Sequence, residues 1–481
     1  MTRRLAGFER RCRRRTNLPK VEGEAAVATA EGSEAVGLLQ RLLRINTVNP
    51  PGNEEPAQEL LRDTLTDAGF ECELLAAEAG RPNLVARLRG EGPGPTLCLL
   101  GHVDTVPAKP AEWSFDPWAG DVVDGEIRGR GAQDMKDQVA AEVGAAATLG
   151  REGWRPAAGE LLVVATADEE MGAGAGAQWL CREHPGRVRC DYVLNEGGGV
   201  AFELDGQRYY TLCVGEKGVF RFLVRTHGRA GHASTPALGD NALLKLAPLI
   251  ERLGSQPPVA RTPEAIDFAS ALCREDIAGD PEGLEAAVGR LRERAPEMVA
   301  YLLDPMLGVT LVPTQARASE KENVIPSVAE TLVDCRVPPD MGEDEVRQQA
   351  LAILGSGANP AAPGREAEEA AGSDFELEFV EHVVGNRSPS HSRLRDVIED
   401  WLAENDPGAT LVPIVMAGFS DSHWFRKAFD AATVYGFCPQ RELSLLEAAP
   451  LVHSADERAA VSDVEFAARF YRDTIQRVLD R

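Results

Sequence analysis

Along the first part of the chain the apolar positions recur with two different periods. From about Ser33 to Gly69, Leu38, Leu39, Leu42 and Leu43, then Leu60, Leu61 and Leu65, recur at helical spacing and predict two amphipathic helices. The loop between them, Asn46-Thr-Val-Asn-Pro-Pro-Gly-Asn53, consists largely of turn formers. Thr96–Leu100, Leu161–Ala165, Tyr192–Leu194 and Leu411–Val415 are short continuous apolar runs, the pattern of buried strands. Helix-like stretches such as Gln138–Leu149 lie between them. This alternation predicts an α/β domain with a largely parallel central sheet.

The middle of the chain has a different pattern. Phe220–Arg225, Ala329–Cys335 and Phe375–Val380 alternate apolar and polar residues, as half-exposed strands do, and flank helical stretches near Asn241–Leu253 and Glu343–Leu354. The expected organisation is a smaller α+β domain, residues 216–384, inserted between two parts of the α/β domain, residues 33–215 and 385–481. Pro258–Pro305 reads as an extra helical insertion, and the acidic Gly/Ala/Pro-rich stretch Gly355–Ser373 as a surface loop. Residues 1–32 begin rich in arginine but lack the apolar core of a signal peptide, and read as a disordered or poorly packed extension.

Composition narrows the class. A chain of 481 residues exceeds what one hydrophobic core usually supports, in line with two domains. A net charge of −25 repels polyanions, so neither nucleic acid nor an anionic membrane is expected as a partner. No apolar run approaches the ~18 residues of a membrane span. The nine cysteines are odd in number and scattered, without a Cys-x-x-Cys pair, and read as reduced thiols in a cytoplasm.

The chemistry-bearing residues gather at strand ends. His102 follows the run Thr96–Leu100 in Gly-His-Val-Asp-Thr-Val-Pro, where ligands of open α/β sheets bind. Asp104, two residues on, points the same way on extended backbone and is placed to orient the imidazole. The alternative is a histidine that caps its strand by bonding to backbone. Asp134, in Gly129-Arg-Gly-Ala-Gln-Asp-Met-Lys136, stands at a helix entry, where it is either an N-cap or a carboxylate that bridges two cations. Asp168, Glu169 and Glu170 end the apolar run Leu161–Ala165, a costly arrangement unless something positive meets them, though a solvated loop would also account for one of the three. Glu196 ends another strand before three glycines, and His453 precedes the last helix, Val461–Leu479. Two histidines and three carboxylates suit two zinc ions that share a bridging carboxylate.

The order and wording of these motifs resemble the di-zinc hydrolases that include aminoacylase, acetylornithine deacetylase, succinyl-diaminopimelate desuccinylase, glutamate carboxypeptidase and carboxypeptidase S. The resemblance covers roughly residues 35–480 and rests on Gly-His-Val-Asp-Thr-Val-Pro, Gly-Arg-Gly-Ala-Gln-Asp-Met-Lys, Asp-Glu-Glu-Met-Gly, Asn-Glu-Gly-Gly and Val-His-Ser-Ala-Asp-Glu. It implies that His102, Asp134 and Glu196 hold one metal, and that Asp134, Glu170 and His453 hold the other. It further implies Glu169 as general base, Asp104 as support for His102, and a cis peptide bond between Asp134 and Met135. The inserted domain matches as well: Gly228-Arg-Ala-Gly-His-Ala-Ser-Thr-Pro236 resembles the family's lid motif, whose histidine, here His232, enters the partner's site across a dimer interface. Asn323 and Arg336 resemble the lid residues that grip a substrate carboxylate, a task that suits a guanidinium, although a salt bridge from Arg336 to Asp334 is an equal alternative.

Two features depart from the family pattern. Ser420 stands where the family usually has threonine in Gly-Thr-Asp, and Pro258–Pro305 makes the lid longer than in the simplest members. The expected enzyme is a homodimeric, zinc-dependent amidohydrolase, with cobalt or manganese also compatible with the donors. It would cleave an N-acyl amino acid or dipeptide with a free carboxylate by means of zinc-bound hydroxide, with Glu169 taking the proton. A non-catalytic protein that kept the fold would lack a ligand or the base. A di-zinc aminopeptidase would lack the Gly-His-Ala-Ser-Thr-Pro lid.

Overall fold

The structure, a computed structural model, describes residues 29–254, 262–277, 281–355, 358–360 and 375–480. The readings of residues 1–28 as an extension and of most of Gly355–Ser373 as a surface loop lie outside the described residues. The first helix, Ala30–Leu43, starts earlier than the expected boundary at residue 33, because the Thr29 side chain caps it by accepting from Gly32 N at 3.2 Å.

A ten-stranded sheet forms the larger body. Its centre is parallel: Thr96–His102 lies between Glu160–Thr166 and Tyr192–Asn195 and runs with both, and Thr433–Gly436 continues the same direction beside Tyr192–Asn195. These strands are the continuous apolar runs of the sequence and are buried almost throughout. Toward the edges the sheet turns antiparallel, through Pro82–Arg89 and Glu71–Ala76 on one side and Ala201–Leu204 against Gln207–Glu216 on the other. Ala30–Leu43, Lys136–Arg151 and Val461–Leu479 pack together over one face with Leu38, Leu42, Val139, Phe470 and Ile475 in their shared core. Ala177–Glu183 and Ser422–Ala428 cover the other face.

The middle of the chain builds a second, five-stranded sheet in the order Thr310–Arg317, Val328–Val337, Gly218–His227, Phe375–Val383, Ala358–Pro360. All its pairs but the last are antiparallel, and helices Ala242–Leu253 and Glu343–Leu354 share its core. The alternation read from Phe220–Arg225 and Ala329–Cys335 is that of a sheet with one face packed and one wet. Pro263–Cys273 and Pro281–Arg294 are helices and short helical turns follow as far as Met306, but they pack elsewhere than on this sheet. Phe268, Leu291 and Leu303 share a core with Phe202, Tyr209, Val412 and Ile414 of the ten-stranded sheet. The insertion therefore becomes part of the wall of the larger body.

Candidate metal centre

The parallel order of the central strands places the acids and the first histidine side by side. Glu160–Thr166, Thr96–His102 and Tyr192–Asn195 are neighbours that run the same way, so their carboxyl ends open onto one edge. From that edge come Glu169 and Glu170, then His102, then Glu196. Asp134 enters from the turn ahead of Lys136–Arg151, and the Asp134–Met135 peptide is cis, as the resemblance implied. His453 arrives from the far end of the chain. The strand Arg458–Ala460 pairs with Glu126–Arg128 and so draws the segment before it toward Asp134.

Asp134 sits at the middle of the cluster. Its Oδ1 lies 3.1 Å from His102 Nε2 and its Oδ2 lies 3.0 Å from His453 Nε2, so one carboxylate faces both imidazoles. Glu196 Oε1 and Glu169 Oε2 are each 3.8 Å from His102 Nε2, and Glu170 Oε2 is 3.1 Å from His453 Nε2. Two sets of three donors lie within 4.8 Å of one another: His102, Asp134 and Glu196, and Asp134, Glu170 and His453. The resemblance groups the same residues as the ligands of two ions.

The cluster has a strong demand for positive charge. Burial raises the proton affinity of Glu169, and Glu196 adds to it while His102 opposes it. Burial raises Glu196 likewise, with Asp134 adding to the effect. Burial alone would keep His102 neutral, yet Asp104 and Asp134 hold its pKa well above the ordinary imidazole range. Hydrogen bonds to Asp134 and Glu170 push His453 up to about 10. Glu170 Oε1 is buried without a partner. Two divalent cations would meet each of these demands and would take the place of the imidazole protons.

Residues around the donors, Asp104 and Asp168 among them, hold the cluster in place. Asp104 backs His102, with Oδ1 3.5 Å from Nδ1, and it also accepts from Glu169 N and Glu170 N at 3.2 Å each. Asn49 Nδ2 donates to Asp104 at 2.9 Å and to Asp168 at 3.0 Å. Asp168 has a positive φ of 68° and turns the chain after its strand. Its carboxylate is tied down by Arg81 at 3.0 Å, and Arg81 is itself paired to the buried Glu54 at 2.6 Å. Asp168 is thus a buried structural acid, and the solvated-loop alternative does not apply to it. On the opposite side Glu457 accepts from Gln133 N at 2.7 Å, Gly131 N at 3.0 Å and Asp134 N at 3.1 Å, and pairs with Arg130 at 2.5 Å. Arg130 also donates to Ser454 O at 3.0 Å, which joins the loops of Asp134 and His453. Glu457 and Arg130 lie inside two of the quoted motifs; Asn49, Glu54 and Arg81 carry no comparable sequence signal.

The cluster opens into a cleft of about 710 Å³ that Arg336 also lines. Arg336 Nε donates to Asp334 at 2.8 Å, so the salt-bridge alternative and the cleft position hold together. His232 and Asn323 do not line this cleft. They lie next to each other, with Ala233 N donating to Asn323 O at 3.0 Å, and both are exposed. Ser420 is buried, and its hydroxyl donates to Glu216 within the fold.

Residues 98–477 match the family described as Peptidase family M20/M25/M40. The succinyl-diaminopimelate desuccinylase of Xanthobacter autotrophicus is 36% identical over 235 residues, 46% of this chain and 57% of that protein. The desuccinylase of Rhodospirillum centenum is 32% identical over 271 residues, 54% of this chain and 66% of that protein. The matches thus span less than two thirds of these relatives. Among solved structures, an M20 family metallo-carboxypeptidase from Sulfolobus solfataricus superposes with a TM-score of 0.63 at 16% identity, covering 93% of this chain and 99% of that one. Human carnosine dipeptidase 1 does so at 0.60 and 17%, covering 93% and 97%. These two likenesses establish the fold. With most of its length inside the family match and its motifs gathered at one strand edge, the chain belongs to peptidase family M20/M25/M40.

Proposed function

We propose that the chain is a metal-dependent amide hydrolase that cleaves an N-acyl amino acid or dipeptide bearing a free carboxylate. The observation that carries this reading is Asp134, whose two carboxylate oxygens each face a different histidine. His102, Asp134 and Glu196 would hold one ion, and Asp134, Glu170 and His453 the other. The nitrogen and oxygen donors suit zinc, and cobalt or manganese would accept the same set. When bound, such ions make a water acidic near neutrality and polarise a carbonyl.

Glu169 belongs to neither ligand set, yet it lines the cleft beside both. Its carboxylate takes the proton of the attacking water and returns it to the departing amine. Arg336 receives the substrate carboxylate, for which a guanidinium offers two parallel donors. His232 and Asn323 act on the site of a partner subunit in a homodimer. His232 is exposed, and its ring meets Ser234 Oγ at 2.7 Å from Nδ1. The same module leaves Leu243, Leu244 and Val312 exposed on helix Ala242–Leu253 and strand Thr310–Arg317, apolar surface that a second copy would cover. Leu244→Glu should shift a dimer toward monomer in sedimentation.

The experiment is a screen of N-acyl amino acids against dipeptides on purified protein with its metal content measured. Two equivalents of metal and hydrolysis of either class are expected. A fully metal-loaded protein that cleaves neither class would overturn the proposal.

A further inference from the structure

The hydrolase reading leaves one part of the cleft without a task. Part of its lining is apolar, and the helical insertion contributes to that part. Tyr301, Leu302 and Pro305 line it from the insertion, with Ile414, Leu445 and Val452 lining it from the rest of the larger body. Leu302, Ile414 and Leu445 are buried and fix the wall, whereas Tyr301 is 49% exposed and Val452 38%. Exposed apolar side chains are ordinary on a convex surface. Inside a cleft that also holds a catalytic cluster they mark the place of a ligand's apolar part. Tyr301 and Leu302 lie in a π-helical turn, Val299–Leu303, a departure from regular helix that is frequent at functional sites.

The charges point the same way. Among the described residues that line the cleft, Arg336 is the lone guanidinium or ammonium group, and His453 is committed to Asp134 and Glu170. The lining therefore matches one carboxylate and offers no second cation for another. The volume, about 710 Å³, is in the range that encloses a drug-sized ligand.

We infer that the substrate is a monoanionic amphiphile: an N-acyl amino acid whose acyl group is a long apolar chain, seated against Tyr301 and the insertion wall. This rests on the hydrolase reading for its chemistry and on the wall for its selectivity. Each methylene buried there is worth about a fourfold gain in kcat/KM.

The test uses the metal-loaded enzyme on N-acetyl-, N-butyryl-, N-octanoyl-, N-dodecanoyl- and N-succinyl-alanine. A rise in kcat/KM from acetyl to dodecanoyl is expected, with the succinyl compound near the bottom. Tyr301→Glu should lower the dodecanoyl-to-acetyl ratio at least tenfold, and Tyr301→Phe should keep it. A flat or falling series, or a preference for the succinyl compound, overturns the inference while leaving the hydrolase intact. Calorimetric binding of N-dodecanesulfonyl-alanine against N-methanesulfonyl-alanine needs no turnover. Tighter binding of the long compound, by at least about thirtyfold, supports the wall even where hydrolysis fails, and equal binding overturns it.

Discussion

Glu169 and Glu170 are chain neighbours with different surroundings. Glu170 Oε2 lies 3.1 Å from His453 within a candidate donor group, while Glu169 faces His102 at 3.8 Å and belongs to neither group. Glu169→Gln keeps the shape and removes the proton acceptor, so kcat should fall by roughly 10²–10⁴ with metal content unchanged. Metal analysis beside rate measurements checks this, and near-normal turnover would remove Glu169 from the role. Glu170→Ala and His453→Ala should lower metal content along with rate. Glu457 offers a different case, since it touches no donor side chain but fixes the backbone that carries Asp134. Removing it strands the buried Arg130, a loss of about 3–5 kcal/mol, so Glu457→Ala should lower the melting temperature of metal-free protein. A metal-free melting point equal to wild type would refute that role. His102, Asp134, Glu170 and Glu196 were legible because they sit near strand ends or a helix entry, where a polar residue interrupts an apolar run, whereas His453 lies in a turn and was legible through its motif. Asn49 and Arg81 were not legible, because their partners Asp104, Asp168 and Glu54 come together only in the folded chain.

The elements most legible in the sequence were those buried on both faces. Thr96–His102 and Glu160–Thr166 show up as unbroken apolar runs because helices cover both sides of the sheet. Gln207–Glu216 was missed although it is a buried strand, since its start mixes Gln, Arg and Tyr. Thr433–Gly436 was missed because four residues carry no period, and Thr310–Arg317 because an edge strand with an exposed end has no clean alternation. Insertion Pro258–Pro305 was legible as helix but not as wall, since periodicity says which face is apolar and not what covers it. Helix Lys136–Arg151 shows how tightly these layers meet. A side-chain carbon built on Gly144 would lie 2.9 Å from Ala35 N of the neighbouring helix. Gly144→Val should therefore destabilise the fold by about 1–3 kcal/mol through overpacking, measurable by urea denaturation, although it lies outside the donor cluster. An unchanged midpoint would mean that the two helices can part at no cost.

At the scale of the whole molecule the proposed dimer makes each centre depend on two chains. Mixing Glu169→Gln with His232→Ala under conditions of subunit exchange produces mixed dimers in which one centre has both groups intact, so activity should return. If exchange is demonstrated and activity stays at zero, His232 works within its own chain or not at all. Within one chain the centre also joins distant residues, for the bond from Asp134 N to Glu457 spans 323 positions. On a ribosome that adds about 5–20 residues per second, the two halves are made roughly 15–65 s apart. During that interval His102, Asp134, Glu170 and Glu196 can exist as an acidic half-site without His453 or the clamp of Glu457. A nascent chain thus cannot complete the group of Asp134, Glu170 and His453 until the segment that carries His453 has been made, so any pairing of two ions at this centre comes late in synthesis or after it.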